Sequence, residues 1–162
     1  MNPEPHALVR AVDELFVRGK PPQWDTLLER LLRHFDCVVG TVHLLRADDG
    51  MLHLAAQRGL PPPLLDKVNV IPIGKGMAGI AAQRKEPVQV CNLQTDTSGV
   101  ARPNAKTTKM EGSLAAPMLL RGELRGELRG VLGVAKPVAY DFTAAETQLL
   151  MDVGARVASL LA

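Results

Sequence analysis

The sequence predicts a single α+β domain in which antiparallel strand hairpins are flanked by helices. Three features lead to it. Apolar residues recur at helical spacing over residues 6–16, 24–35 and 143–161. Between those segments, β-branched and apolar runs come in pairs joined by turn residues, the pattern of antiparallel hairpins. The one internal helical segment, after Gly76, is stopped by Pro87 after about two turns, well short of the dozen residues that a crossover between parallel strands needs.

At 162 residues and 17.4 kDa the chain fits one core. The expected division is an N-terminal helix within 1–20 and a single domain over 21–162 that ends in the helix 143–161. A hydrophobic share of 46% and a charged share of 22% are ordinary for a globular protein. The net charge is only +2 and the basic residues are scattered, so no nucleic-acid partner is expected. No apolar run approaches the roughly 18 residues of a membrane span, and the N-terminus has no signal-peptide pattern, so no membrane partner and a cytoplasmic location are expected. Cys37 and Cys91 are too few for a disulfide framework and wrongly spaced for zinc.

In chain order, Leu8, Val12, Leu15 and Phe16 form a helical stripe that Gly19-Lys20-Pro21-Pro22 ends. A second amphipathic helix carries Trp24, Leu27, Leu28, Leu31, Leu32 and Phe35. Strand candidates 37–45 and 51–56 flank the turn Ala47-Asp48-Asp49-Gly50 and read as a hairpin. Leu60-Pro61-Pro62-Pro63 forces an irregular link, and the next strand, 68–73, contains Pro72, which confines it to an edge. A short helix and the strand 88–91 follow. Residues 92–111 are polar and aperiodic, the kind of long connection that serves as a lid. Strands 112–120 and 131–136 are separated by a stretch that repeats Arg-Gly-Glu-Leu, which makes two pairing registers nearly equivalent. Thr143-Ala144-Ala145-Glu146 is a capping box that opens the last helix.

Gly74-Lys75-Gly76-Met77-Ala78-Gly79 matches G-x-G-x-x-G. A dinucleotide fingerprint would need a full crossover helix, which Pro87 denies, and a P-loop would need Ser or Thr after its Lys. Two roles remain open: a tight turn with close packing, or an anion cradle on the amides of a helix N-terminus.

The order of elements, together with Ile73-Gly74-Lys75-Gly76-Met77-Ala78-Gly79, Glu86-Pro87-Val88, Gly112-Ser113-Leu114-Ala115-Ala116-Pro117-Met118, Gly130-Val131-Leu132-Gly133-Val134 and Phe142-Thr143-Ala144-Ala145-Glu146, resembles the GAF family of sensory domains over about residues 24–161. The resemblance implies a GAF/PAS-like central antiparallel sheet of about five to six strands, with the N- and C-terminal helices packed together. It also implies a ligand pocket under residues 92–111. The ligand-binding candidates are Gly76 and Met77 at the helix start, Asp96, Thr97, Arg102 and Lys106 in the loop, and Ser113 on the following strand. Cyclic-nucleotide-binding members carry Asn-Lys at the end of the last strand; here the pair is Ala135-Lys136, and residues 60–139 contain no Phe, Tyr or Trp to stack on a purine. Lys136, Phe142 and Glu146 are retained and form an expected structural lock, with a Lys136–Glu146 ion pair as one form of it.

No metal, cofactor or catalytic residue is expected. His43 and His53 flank the first hairpin turn without the further ligands that zinc requires. The resemblance then implies a non-enzymatic regulatory domain that binds a small ligand and signals as a homodimer through its terminal helices, with a regulatory protein partner; three cations in the loop against Asp96 and nearby Glu111 point to an anionic ligand. Two alternatives stand beside it. One is a ligand-free interaction module. The other is a redox enzyme like the free methionine sulfoxide reductases, which place cysteines in and around the long loop; Cys91 precedes that loop, and residues 92–111 contain none.

Overall fold

The computed structural model of the chain describes residues 5–121 and 126–161. Helices α1 (Pro5–Leu15) and α2 (Trp24–Phe35) precede a hairpin of β1 (Val39–Leu45) and β2 (Leu52–Arg58). A 3-10 turn (Pro62–Leu64) leads into α3 (Leu65–Val68), β3 (Val70–Ile71), α4 (Gly76–Arg84) and β4 (Val88–Val90). A 3-10 helix (Pro103–Thr108) lies in the long connection, β5 (Ser113–Leu120) and β6 (Glu127–Ala135) make the second hairpin, and α5 (Ala144–Leu161) is the last element. Residues 122–125 of the Arg-Gly-Glu-Leu repeat lie outside the described residues.

The six strands form one antiparallel sheet in the order β3-β2-β1-β6-β5-β4. Helix α4 therefore carries the chain from one edge of the sheet to the other. Among the described residues every strand pair is antiparallel, so the glycine motif does not open a nucleotide-binding βαβ unit.

Strand alternation divides the sheet's side chains between two unlike faces. On one face Val42, Leu114, Ala116, Leu132 and Val134 pack beneath α1, α2 and α5 in the main core. Helix α2 supplies Leu27, Leu28, Leu31 and Phe35. In α5, Leu150, Val153 and Val157 are fully buried, each burial being worth about 1.5–3 kcal/mol. The stripe on α1, with Leu8 and Val12, also enters this core, and Arg156 of α5 pairs with Asp13. The two terminal helices are packed together within one chain, as expected.

On the other face Ala115 and Val131 pack under Ala81 and Ala82 of α4, with Leu52 and Ile71 at the side. Helix α4 covers only part of this face.

Three boundaries differ from expectation. Strand β3 is two residues long and lies at the edge, because Pro72 has no amide to extend the ladder. Leu60 and Pro61 lie outside any element as expected, but Pro62–Leu64 form the 3-10 turn and Leu65–Val68 form α3, so Val68 belongs to a helix rather than to the following strand. Strand β6 begins at Glu127, earlier than 131, with a register shift opposite Met118 and Leu119. The paired register places Leu119 opposite Leu128.

The glycine motif divides its labour. Gly74 and Gly76 hold φ of +88 and +69, the left-handed region open to residues without a Cβ. Gly79 is needed for proximity: a Cβ there would stand 2.5 Å from the Pro72 carbonyl oxygen, and its own carbonyl accepts from the Gly74 amide at 2.8 Å. Gly79→Ala is expected to destabilise the protein by about 1–3 kcal/mol, as overpacked sites do. Urea unfolding measures it, and a loss below about 0.5 kcal/mol, the range of a neutral surface change, contradicts this packing role.

Candidate functional site

The face that α4 leaves uncovered bounds a cavity of about 160 Å³. Its floor is the sheet. Val39, Thr41 and His43 alternate along β1, and their partners across the ladder include Ala135, Gly133 and, on β5, Ser113 and Ala115. Small side chains keep this floor low. At Gly133 an added Cβ would come within 2.6 Å of Thr41 Oγ1. The walls are Leu64, Val68, Ile71 and the first turn of α4, and the roof is Ala101, Arg102, Ala105, Thr108 and Met110.

The roof is fastened at its base. Asn92 donates to the Glu111 carboxylate at 3.1 Å, Leu93 N–H donates to the Glu111 carbonyl at 2.8 Å, and the Gln94 side chain donates to the Met110 carbonyl at 2.8 Å. The segment above the cavity is a 3-10 helix with a period of three. Ala105 and Thr108 therefore share its inner side, and the exposed Arg102 just before it adjoins the same cavity.

The cavity gathers some of the expected residues and not others. Gly76, Met77, Arg102 and Ser113 line the cavity, whereas Asp96, Thr97 and Lys106 do not. Lys106 falls on the outer side of the 3-10 helix and is exposed. Asp96 accepts a hydrogen bond from Ser98 Oγ at 2.7 Å in an exposed turn, and Thr97 is exposed beside it.

At the start of α4, no side chain caps the helix, so the amides of Gly76, Met77 and Ala78 have no partner inside it. All three residues line the cavity. The aliphatic part of Arg102 rests on Gly76: its Cγ and Cδ would be 3.1 Å from an added Cβ. Among the described residues no carboxylate pairs with its guanidinium. A positive helix end and a free cation thus meet at one place on the cavity, a setting that favours an anion.

Sequence reasoning missed His43, which it weighed only as a zinc ligand beside His53. Its ring is 3% exposed and lines the cavity. Nε2–H donates to the Val68 carbonyl at 2.8 Å, which leaves Nδ1 as an acceptor with no partner among the described residues. Burial holds its pKa below the usual histidine value, outweighing the Val68 hydrogen bond. The signal was present in the alternation of Val39, Thr41 and His43. His53 does not face it: His43 is opposite Leu54, and His53, opposite Leu44, bonds Asp49 at 2.7 Å.

Neither thiol lines the cavity. Cys37 lies in the main core, where burial pushes its pKa up to about 12. Cys91 is exposed after β4, and lost hydration followed by the neighbouring Asp141 carboxylate raises its pKa. Neither is a ready thiolate. Among the described residues no group of His, Cys, Asp and Glu is arranged to hold a metal ion.

The expected lock has a different form. Lys136 is 6% exposed, and its Nζ donates to the carbonyls of Phe35 at 2.6 Å and Asp36 at 3.3 Å, at the C-terminus of α2. The ammonium sits 4.3 Å from the centre of the Tyr140 ring and 5.8 Å from that of Phe142. Glu146 accepts instead from Tyr140 Oη at 2.7 Å and Thr143 N–H at 2.9 Å. The ion pair is thus replaced by a relay through the Tyr140 ring, because helix carbonyls offer the ammonium closer partners. The capping box is also made, with Glu146 N–H donating to Thr143 Oγ1 at 3.0 Å.

Two outcomes follow. Lys136→Met is expected to cost about 2–3 kcal/mol, since hydrogen bonds to a charged donor are lost and buried carbonyls are left unpaired; a change in urea midpoint corresponding to under 1 kcal/mol contradicts it. For His43, the unfolded chain takes up a proton more readily than the folded one, so its contribution is fully present above its unfolded pKa of about 6.5 and is lost as pH falls below it. The loss is at most about 1.4 kcal/mol per pH unit. Stability measured from pH 7 to 5 should fall more steeply in the parent than in His43→Gln, and equal slopes refute it.

Comparison with known proteins agrees with this architecture. The family model described as a GAF domain matches residues 24–162. The GAF domain of an Acinetobacter phosphoenolpyruvate-protein phosphotransferase superposes with a TM-score of 0.75 at 19% identity, covering 99% of this chain and 94% of that one. A free methionine-R-sulfoxide reductase from Neisseria meningitidis, solved in complex with its substrate, gives 0.71 at 16% identity over 96% of this chain and 87% of that one. A domain of a putative two-component sensor histidine kinase from Sinorhizobium meliloti 1021 gives 0.64 at 16% identity over 85% and 88%. At such identities these likenesses concern the fold alone. No curated protein matched the chain. With the family model spanning all but the first 23 residues, and with the sheet order and cavity described above, the chain belongs to the GAF domain family.

Proposed function

We propose that the protein is a non-enzymatic regulatory domain that binds a small anionic ligand in the cavity beneath residues 92–111 and passes the binding event to its terminal helices in a homodimer. The observation that carries this reading is the meeting of Arg102 with the uncapped amides of α4 on a preformed, mostly apolar cavity. Its size suits a small metabolite, since an engineered cavity of about 150 Å³ holds benzene.

Structures of the same fold support a small-molecule role: the Neisseria reductase was solved with its substrate. Enzymatic turnover of that kind draws on a thiolate, and the two thiols here lie off the cavity. The ligand-free interaction module competes on one point, because the small residues at Ala81, Ala82 and Ala115 serve close helix-on-sheet packing. They do not account for the unpaired cation and amides at the cavity's edge.

Calorimetry and thermal shift with nucleotides, amino acids and small carboxylates test the reading. A ligand held at a hundred times its Kd should stabilise the fold by about 2.7 kcal/mol. Arg102→Met should weaken an anionic ligand roughly 10- to 100-fold, the worth of a charge-assisted contact. Light scattering tests the dimer. No shift with any ligand class at millimolar concentration, in a chain that is nonetheless a dimer, would favour the interaction module instead.

A further inference from the structure

The cavity is lined by three hydroxyl side chains, Thr41, Thr108 and Ser113, and they are not equally free. In the roof, Thr108 Oγ1 donates to the Ala105 carbonyl at 2.7 Å and accepts from Met110 N–H at 3.1 Å. The Thr41 and Ser113 hydroxyls have no hydrogen-bond partner among the described residues. His43 adds no open polar atom, because its Nε2 is held by the Val68 carbonyl and its Nδ1 has no accessible surface.

Thr41 stands in the middle of the floor. Its strand lies between β2 and β6, and its chain neighbours Gly40 and Val42 face α2 and the main core. The surface that the half-buried Thr41 keeps can therefore open only on the cavity side. Directly across the ladder is Gly133. No left-handed φ calls for glycine there. An added Cβ would meet a single atom within 4 Å, Thr41 Oγ1 at 2.6 Å. The glycine thus leaves that hydroxyl uncovered and the space beside it open. Ser113 has no such opening opposite it, since its partner on β6 is Ala135.

A hydroxyl so placed discriminates between ligands. One that fills the floor with a methylene displaces water from Thr41 Oγ1 and leaves it unpaired, whereas one that brings a hydroxyl or carbonyl replaces the bond. We infer that Thr41 is the specificity residue of the cavity. Its hydroxyl bonds an uncharged polar group carried by the ligand in addition to the anionic end at Arg102 and the first amides of α4, and Gly133 keeps that hydroxyl open. The inference rests on the reading of this cavity as an anion-binding site and adds the residue that recognises the rest of the ligand.

Calorimetry on the full chain with pentanoate, 3-hydroxypentanoate, 4-hydroxypentanoate and 4-oxopentanoate tests it. At least one oxygenated acid should bind roughly 3- to 30-fold more tightly than pentanoate, the worth of a hydroxyl that is paired rather than left unpaired. That ratio should fall to about one in Thr41→Val and persist in Thr41→Ser and in Ser113→Ala. Gly133→Ala, which covers the hydroxyl without removing it, should lower the ratio as Thr41→Val does. Each ratio is read within one folded variant, so a general loss of affinity or stability does not imitate it.

Equal binding of all four acids, a ratio that survives Thr41→Val, or one that is lost in Ser113→Ala alone overturns the inference and leaves the ligand-binding reading standing. A ratio that persists in folded Gly133→Ala overturns the part given to Gly133. Where the four acids fail and AMP or L-aspartate binds instead, the same variants decide with that anion. An affinity unchanged in Thr41→Val then overturns the inference, and a roughly 3- to 30-fold loss that Thr41→Ser restores supports it. No binding by any of these anions, in a protein that remains folded, overturns both.

Discussion

The buried ammonium of Lys136 is the constraint to which the other elements conform. A charge so far from water is tolerated only with close partners, because its desolvation costs several kcal/mol. Here the partners come from separate parts of the chain: the Phe35 and Asp36 carbonyls at the end of α2, and the rings of Tyr140 and Phe142 after β6. The favourable sign of a cation at a helix C-terminus adds to the hydrogen bonds. Its backbone is also engaged. Lys136 N–H donates to the Gly112 carbonyl at 2.7 Å, and its carbonyl accepts from Glu111 N–H at 2.8 Å. One residue therefore ends the β5–β6 ladder, caps α2 and anchors the downstream end of the cavity roof. Tyr140 extends the same cluster to the Glu146 cap of α5.

With that corner fixed, the two faces of the sheet follow different packing rules. The face under α1, α2 and α5 is filled by Leu, Val, Phe and Met side chains, and Gly154 allows α5 to approach Met118. The opposite face carries Gly133, Ala115 and Ala135 where a larger residue would close the space. Helix α4 has to travel from β3 at one edge to β4 at the other in nine residues, so it spans only part of the sheet. The cavity is what remains between a short diagonal helix and a floor of small side chains. Its roof comes from the one connection long enough to fold back over it.

Much of this fold was legible because its strongest signals are local. The capping box at Thr143, the stripes of α2 and α5, the Pro-terminated α4 and the edge position imposed by Pro72 each act within a few residues. The site was less legible for the same reason. Gly76, Met77 and Ser113 were found because they adjoin a motif, whereas His43, Thr41 and Leu64 reach the cavity only through sheet pairing and the folding of residues 60–68. Polarity was a poor guide within 92–111. It flagged Asp96, Thr97, Arg102 and Lys106 alike, although of these only Arg102, the exposed residue just before the 3-10 helix, adjoins the cavity. The lock was misread in form because a carbonyl pair at a helix terminus leaves no trace in residue identity.

The arrangement also limits how a ligand would act. Binding shifts a structural equilibrium only by the difference in free energy it gains in the two states. The filled face is close-packed and has little room for a second arrangement of α5 on the sheet. The cavity side differs, since its roof is held at its base by hydrogen bonds to Asn92, Leu93 and Gln94 and by contact with the ligand space. Differential contacts are therefore available at the roof rather than at the floor. The roof ends at Glu111, whose amide bonds the carbonyl of Lys136, and from there two side chains, Tyr140 and Glu146, lead to the start of α5. A ligand that changes the roof without changing the geometry at Glu111 would leave the terminal helices unbiased, however tightly it bound.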